Sequence, residues 1–415
     1  MNSIFEGWQE ITETIRRHKL RTFLTGLGIW WGVFMLVMLM GSGKGLKNGV
    51  FSQIGDQAVN SIYIWGQRTS LPYAGFQPGR SVNLNTDDVQ AIRSGFSKEV
   101  EYLAPRLYIG SESFTVGQLQ ADYEVRGEFP DMIKIEPMKV KEGRFINASD
   151  LDNRRKIVVI GKEVAKLLFP DQKSIGEYLE IRGSKYQIVG VVESSSKGGK
   201  RQEDEESIMM PLTTAQQVIS APNTVHYMVA TVNKGISSLE LEERLKLLLK
   251  NRHDVDPEDV EGVGSFNLEE EFKKISGLFL GIEVLIWIVG IGSLIAGVVG
   301  VGNIMLISVK ERTQEIGLRK ALGATPRSIA SSFIIETILI TLIAGYLGLV
   351  SSIGVVYLIN LAVQGSDSDF FATPEVELYV GLGAIFILVL CSVVVGLIPA
   401  MKAARMNPVE ALRDE

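Results

Sequence analysis

The chain has 415 residues, 46% hydrophobic and 22% charged, with 42 basic against 48 acidic residues and a formal net charge of −6. That balance excludes a nucleic-acid binder built on a broad basic surface, and a single cysteine, Cys391, excludes a disulfide scaffold, an iron–sulfur cluster and a cysteine-ligated zinc site. His18, His226 and His253 are too few and too scattered for histidine-rich metal chemistry, so no metal site is assigned. A mean hydropathy of +0.17 at ordinary charge content means that the apolar residues are concentrated in parts of the chain.

In chain order, Ile4, Trp8, Ile11 and Ile15 recur at helical spacing and predict an amphipathic helix over residues 1–22, lying along the inner membrane interface. Residues 23–41 follow without a charge. A bilayer core of ~30 Å needs ~20 helical residues, so this stretch predicts a first membrane span. Three more are predicted at 277–309, 328–363 and 378–401, with Glu283 and Glu336 the only acids inside them. Such intramembrane acids are read as snorkelling groups or polar contacts between helices. Gly28 and Gly32 in the first span, and Gly292, Ala296 and Gly300 in the second, follow the small-xxx-small spacing that lets helix backbones approach closely.

Basic residues set the orientation. Arg16, Arg17, Lys19 and Arg21 precede the first span, Lys310, Arg312, Arg319, Lys320 and Arg327 lie between the second and third, and Lys402, Arg405 and Arg413 follow the fourth. The loop at 364–377 holds no Lys or Arg. The bias puts both termini, the 310–327 loop and the 402–415 tail in the cytoplasm, and the segment 42–276 outside.

Gly41-Ser-Gly-Lys-Gly45 lacks the spacing of a phosphate-binding loop and reads as a flexible exit from the first span. The external segment carries 30 basic and 34 acidic residues, as a water-soluble domain does. Strands are predicted at 61–65, within 100–116, at 156–160, 178–181, 186–192, 226–232 and 264–268. Helices are predicted at 86–93 with Thr86 as cap, at 162–168, after Thr213 with Gln216 in a capping box, and at 237–253 capped by Ser237. Two β-α-β units at about 55–116 and 223–268 form one α+β lobe, and about 117–222 an inserted β-rich lobe. The charged run 197–206 reads as a flexible tip. No nucleophile elbow or other catalytic motif is found, so no catalytic residue is assigned.

The cytoplasmic loop is the most informative stretch. Ser308-Val-Lys-Glu-Arg-Thr-Gln-Glu-Ile-Gly-Leu-Arg-Lys-Ala-Leu-Gly-Ala-Thr-Pro-Arg327 predicts a short helix with a Glu315–Arg319 pair at i, i+4, ended by Gly323, then a second helix capped by Thr325 with Pro326 in its first turn. A compact charged hairpin between two long spans suits either a docking element or a merely solvated turn.

Ser308–Ala324 resembles the conserved cytoplasmic loop of the FtsX/MacB-like family of ABC-transporter permeases. The ending from Ile398 to Leu412 and the start from Lys19 to Ile29 are also similar. The resemblance spans essentially the whole chain and implies a membrane α-helical protein of four transmembrane helices with a large two-lobed α+β extracytoplasmic domain. It implies that Glu311, Arg312, Glu315, Ile316, Arg319, Leu322 and Gly323 lie on or support the element that couples to the nucleotide-binding subunit. This chain then binds no cofactor, and ATP and Mg²⁺ belong to a partner ATPase dimer. MacB proper carries its ATPase ahead of the first span, where this sequence has some 22 residues, so the split arrangement, with a separate ATPase subunit, is expected. The implied partners are that ATPase, a second permease copy (identical or paralogous), membrane lipid, and for efflux a periplasmic adaptor and outer-membrane channel. Lipoprotein extraction and transmembrane regulation of a cell-wall hydrolase are the competing uses.

Overall fold

The computed structural model describes residues 19–54, 57–116, 119–170, 173–196, 198–364 and 378–406. The expected interfacial helix before residue 19, the external loop at 365–377 and the tail beyond Met406 lie outside these residues. The chain divides into two compact units, one of residues up to Val50 with those from Leu278 onward, the other of Phe51–Gly277.

The first unit contains helices α1 (Lys19–Ile54), α9 (Leu268–Glu311), α11 (Pro326–Gln364) and α12 (Leu378–Arg405), all long and apolar enough to cross a membrane. Their shared core joins Ile29 and Val33 of α1, Val301 and Met305 of α9, Phe333 of α11 and Leu388 of α12. Apolar side chains such as Leu285, Ile343 and Phe386 stand exposed on the outside, as hydrocarbon requires. At 44 residues α9 is ~66 Å long, about twice the bilayer core.

Gly28 and Gly32 of α1 lie close to the backbone of α9. A Cβ on Gly28 would lie 3.9 Å from Gly297, and one on Gly32 would lie 3.3 Å from the Ser293 carbonyl. They meet a different side of α9 from the one that carries Gly292, Ala296 and Gly300: Gly292 and Gly300 have nothing within 4 Å and Ala296 is exposed. Small-residue spacing recurs on two sides of α9, and spacing alone does not say which side packs within the chain. The Gly41–Gly45 run is helical rather than a flexible exit, and Gly43 within it lets α9 approach, since a Cβ there would sit 2.9 Å from Ile286.

The second unit is built on a ten-stranded sheet ordered β10-β1-β9-β2-β3-β8-β5-β7-β4, with β6 on β7. Strands β1 (Ser61–Gly66), β2 (Val100–Val116), β9 (Tyr227–Val232) and β10 (Val263–Asn267) with helices α2 (Thr86–Gly95) and α8 (Ser238–Arg252) give a split β-α-β arrangement, each unit's strands flanking one of the other's. Ile62, Ile64, Ile92, Leu241 and Leu245 fill the core beneath the two helices.

Between β2 and β9 the chain adds β3 (Leu119–Glu128), α3 (Met132–Ile135), β4 (Met138–Gly143), α4 (Ala148–Asp152), β5 (Ile157–Gly161) and α5 (Lys162–Leu168). It then continues through β6 (Tyr178–Ile181), β7 (Ser184–Ser194), α6 (Gly198–Glu205), β8 (Ser207–Pro211) and α7 (Leu212–Val218). The lobe boundary falls within β2, not at its end. Up to Arg106 this strand pairs with β9, from Leu107 it pairs with β3, and Leu107 and Phe114 belong to the inserted lobe's core.

Three local expectations are corrected. Asn85, not Thr86, caps α2 in a reciprocal box with Asp88. Thr213 and Gln216 make no capping box, because Pro211 precedes α7 and the Thr213 hydroxyl donates to the Leu151 carbonyl instead. The charged run at 197–206 is not a loose tip: residues 198–205 form α6, whose acids pair with the buried Arg126.

Candidate functional site

Helix α10 (Thr313–Ala321) lies between α9 and α11, and Arg312 breaks away from helical geometry with φ −97° and ψ 15°. The helix has two faces. Ile316 is 4% exposed and packs with Val309, Ile329, Phe333, Ala400 and Ala403, which anchors the turn in the four-helix core. Leu318 and Leu322 are 53% and 80% exposed on the other side, beside exposed Glu311 and Glu315.

The turn is stiffened by local chemistry. Gly323 adopts φ +95°, where an L side chain is strained. Its N–H donates to the Lys320 carbonyl at 3.0 Å, and the Ala324 N–H donates to the Arg319 carbonyl at 3.0 Å, which satisfies two of the carbonyls in the last turn of α10. The Thr325 hydroxyl accepts from the Ser328 N–H at 3.3 Å and caps α11. Lys320 Nζ donates to the Met406 carbonyl at 2.6 Å, tying the turn to the end of the fourth helix.

Arg312 Nη1 lies 3.4 Å from Glu336 Oε2, so one intramembrane acid makes an interhelical polar contact. Arg319 Nη2 donates to Glu315 Oε1 at 2.7 Å, an exposed i, i+4 pair worth ~0.3–0.5 kcal/mol. Glu283, the other acid, lines a 270 Å³ cavity with Lys44 and Lys47 of α1 and Phe279 of α9.

Nothing in the sequence marks Leu318, since one exposed leucine a turn before another is common on ordinary helices. The external domain holds a buried ionic network that no local sequence pattern announces. Arg106 and Arg126 are fully buried, and their Nε atoms lie 2.7 and 2.9 Å from Glu128 Oε1. Arg106 also reaches Glu136 at 2.8 Å, and Arg126 reaches Asp204 at 2.9 Å and Glu203 at 3.2 Å. Burial alone would raise the Glu136 carboxyl, but Arg106, Lys200 and Arg126 hold it well below the usual range. The one sequence signal was Glu124, Arg126 and Glu128 at period two on β3, a pattern that ordinarily marks a solvated face.

A second device orders the loop after β1. The buried Asp259 carboxylate accepts from the Ser70 N–H at 2.7 Å and hydroxyl at 2.8 Å, and from the N–H groups of Leu71, Glu261 and Gly262 at 2.9–3.1 Å. Leu71, Tyr73 and Phe76 stand exposed on this loop, at the end of the sheet away from the junctions of β1 and β10 with α1 and α9.

Among the described residues, four membrane-length apolar helices and one large folded α+β domain define a polytopic membrane protein. The family model for the MacB-like periplasmic core domain matches residues 22–248, and that for the FtsX-like permease C-terminal matches residues 287–408. The chain belongs to this family of FtsX-like permeases with a MacB-like periplasmic core, which makes it an inner-membrane protein.

Among its curated relatives, the macrolide export ATP-binding/permease protein MacB of Psychrobacter arcticus is 30% identical over 99% of this chain and 60% of the relative. The protein of the same name from Hahella chejuensis is 30% identical over 96% of this chain and 58% of the relative. The chain thus spans about three-fifths of the length of these relatives. The crystal structure of the periplasmic region of MacB from Actinobacillus actinomycetemcomitans is 17% identical, covers 53% of this chain and 94% of that one, and gives a TM-score of 0.43. The extracellular domain of the noncanonic ABC-type transporter YknZ from Gram-positive bacteria gives 0.41 at 15% identity, over 50% of this chain and 100% of that one.

Proposed function

We propose that this chain is the permease subunit of an ABC complex that turns ATP hydrolysis on a separate cytoplasmic ATPase into movement of its extracytoplasmic domain, for efflux with a periplasmic adaptor and outer-membrane channel. ATP and Mg²⁺ are then held by the ATPase, and this chain does no bond chemistry. ABC ATPases work in pairs, so a second permease copy completes the assembly.

The observation that carries the reading is the two-faced α10. Ile316 locks it to the four-helix core, while Leu318 and Leu322 expose apolar surface at a polar turn. Exposed leucines of this kind gain by burial against a partner. A turn anchored in the helix core transmits a push from that partner into the long helices rather than absorbing it. The flanking basic residues support a cytoplasmic location for the turn and both termini. The match of residues 22–248 to the MacB-like periplasmic core supports efflux, and the loop pinned by Asp259, with its exposed Leu71, Tyr73 and Phe76, supplies a preformed surface for an adaptor.

The test is co-purification with the ATPase subunit and measurement of its turnover, for the native chain and for Glu315→Lys and Leu322→Asp. Both substitutions sit on exposed positions, so folding is preserved, and the expected result is weakened assembly with at least a tenfold loss of permease-dependent turnover. Unchanged assembly and turnover in both variants contradict the coupling role.

A further inference from the structure

The external sheet has a face that neither α2 nor α8 covers. Ile62 and Ile64 of β1 point into the core beneath those helices, so by strand alternation Tyr63 and Trp65 stand on the opposite face. Tyr63 pairs across the ladder with Phe266 and lies 6.2 Å from it, centroid to centroid, and 6.3 Å from Tyr227. Tyr108 continues the row at 5.8 Å from Tyr227. These rings line a cleft of about 450 Å³, a volume suited to a small organic molecule. Gly264 makes room for the indole of Trp65, since a Cβ there would lie 2.6 Å from its Nε1.

One wall of the cleft is the ionic network. Lys200, Glu203 and Glu136 reach it from α6 and from the segment after α3. Lys200 Nζ is engaged by Glu136 at 3.2 Å, Glu203 at 3.3 Å and Asp204 at 3.8 Å. Around this wall three cations, Arg106, Arg126 and Lys200, face four carboxylates: Glu128, Glu136, Glu203 and Asp204. His226 adds no positive charge, because its Nδ1 accepts from the Tyr108 N–H and the ring is therefore neutral. Glu203 has the most exposed carboxylate among the network's ion pairs, with a side chain 38% exposed.

We propose that this cleft binds an amphiphilic organic cation, an ammonium group on an apolar body, with the rings packing on the body and Glu203 facing the charge. Electron-rich ring faces attract a cation, and the surplus of carboxylates repels an anion of the same size. Arg106 already exploits one of these rings, its guanidinium carbon lying 5.5 Å from the Tyr227 centroid. The site deepens the efflux reading by naming a ligand class, and rests on that reading only for its cellular use. Binding itself requires no ATPase, so the two fail separately.

The experiment is equilibrium dialysis of the full chain in zwitterionic-lipid nanodiscs against benzyltrimethylammonium and, in parallel, phenylmethanesulfonate, which carries the same ring with an anionic head. The expected result is saturable binding of the cation at one site per chain and no saturable binding of the anion. Trp65→Ala and the near-isosteric Glu203→Gln are each expected to weaken cation binding about fivefold or more, with melting temperature recorded for both. Equal binding of the anion, absence of saturable cation binding, or native affinity in both variants overturns the proposal.

Discussion

Arg312 and Glu336 meet across 3.4 Å, tying the residue that interrupts the second spanning helix to the third turn of the next. Both side chains are mostly buried, so removing one leaves the other charge poorly solvated. Arg312→Leu and Glu336→Leu are each expected to cost about 1–3 kcal/mol in detergent melts. The exchange Arg312→Glu with Glu336→Arg is expected to recover part of that loss, and a double-mutant cycle with no coupling energy would refute the contact.

Two glycines make opposite forecasts. A Cβ on Gly348 would sit 2.7 Å from the Trp30 carbonyl oxygen, whereas Gly292 has nothing within 4 Å. Gly348→Ala is expected to lower the melting temperature through overpacking worth about 1–3 kcal/mol. Gly292→Ala leaves it unchanged or raises it slightly, because alanine is the better helix former.

The buried network in the external domain should be intolerant of half-removal. Arg126→Met leaves Glu128 with Arg106 alone and Glu203 and Asp204 with Lys200 alone, and a loss of about 3–5 kcal/mol is expected in denaturant unfolding of the full chain. A loss below 1 kcal/mol would show that the network is dispensable.

Acid should loosen the Asp259 loop. Burial alone would raise this carboxyl, but the Leu71 N–H, the Ser70 hydroxyl and the Glu261 and Ser70 N–H groups bring it down to about 2. A folded-state value below the ordinary one means that the ionised clamp's contribution is full above the ordinary carboxylate range and fades as pH falls from about 4 towards 2. Hydrogen-exchange protection factors at Ser70 and Leu71 are expected to fall through that window. In Asp259→Asn they are expected to be low already at pH 7.

Local patterns were legible in the sequence wherever one stretch carried the whole signal. The four apolar runs, the Gly323 turn, the Thr325 and Ser237 caps and the strand expected at 156–160 and found at Ile157–Gly161 needed no distant partner. What stayed hidden depends on residues far apart in sequence. Nothing in residues 197–206 announces that Arg126 awaits their acids, and nothing in 100–116 marks where one strand changes partners at Leu107. The choice between the two small-residue faces of α9 is likewise made by α1. Within the turn around α10 the family resemblance pointed to Ile316 and Leu322 alike, and only packing separates the buried residue from the exposed one.

The central claim is that force enters at α10 and leaves through the external domain. Pulsed electron–electron spin resonance tests it on the assembled complex, with Cys391→Ser as background and a spin label at Lys166→Cys, an exposed position of the external domain. Trapping ATP on the partner ATPase is expected to shift the distance between the labels of the two permease copies in the native turn, and Leu322→Asp is expected to abolish the shift. A label distance indifferent to ATP, or a shift that survives Leu322→Asp, contradicts the account.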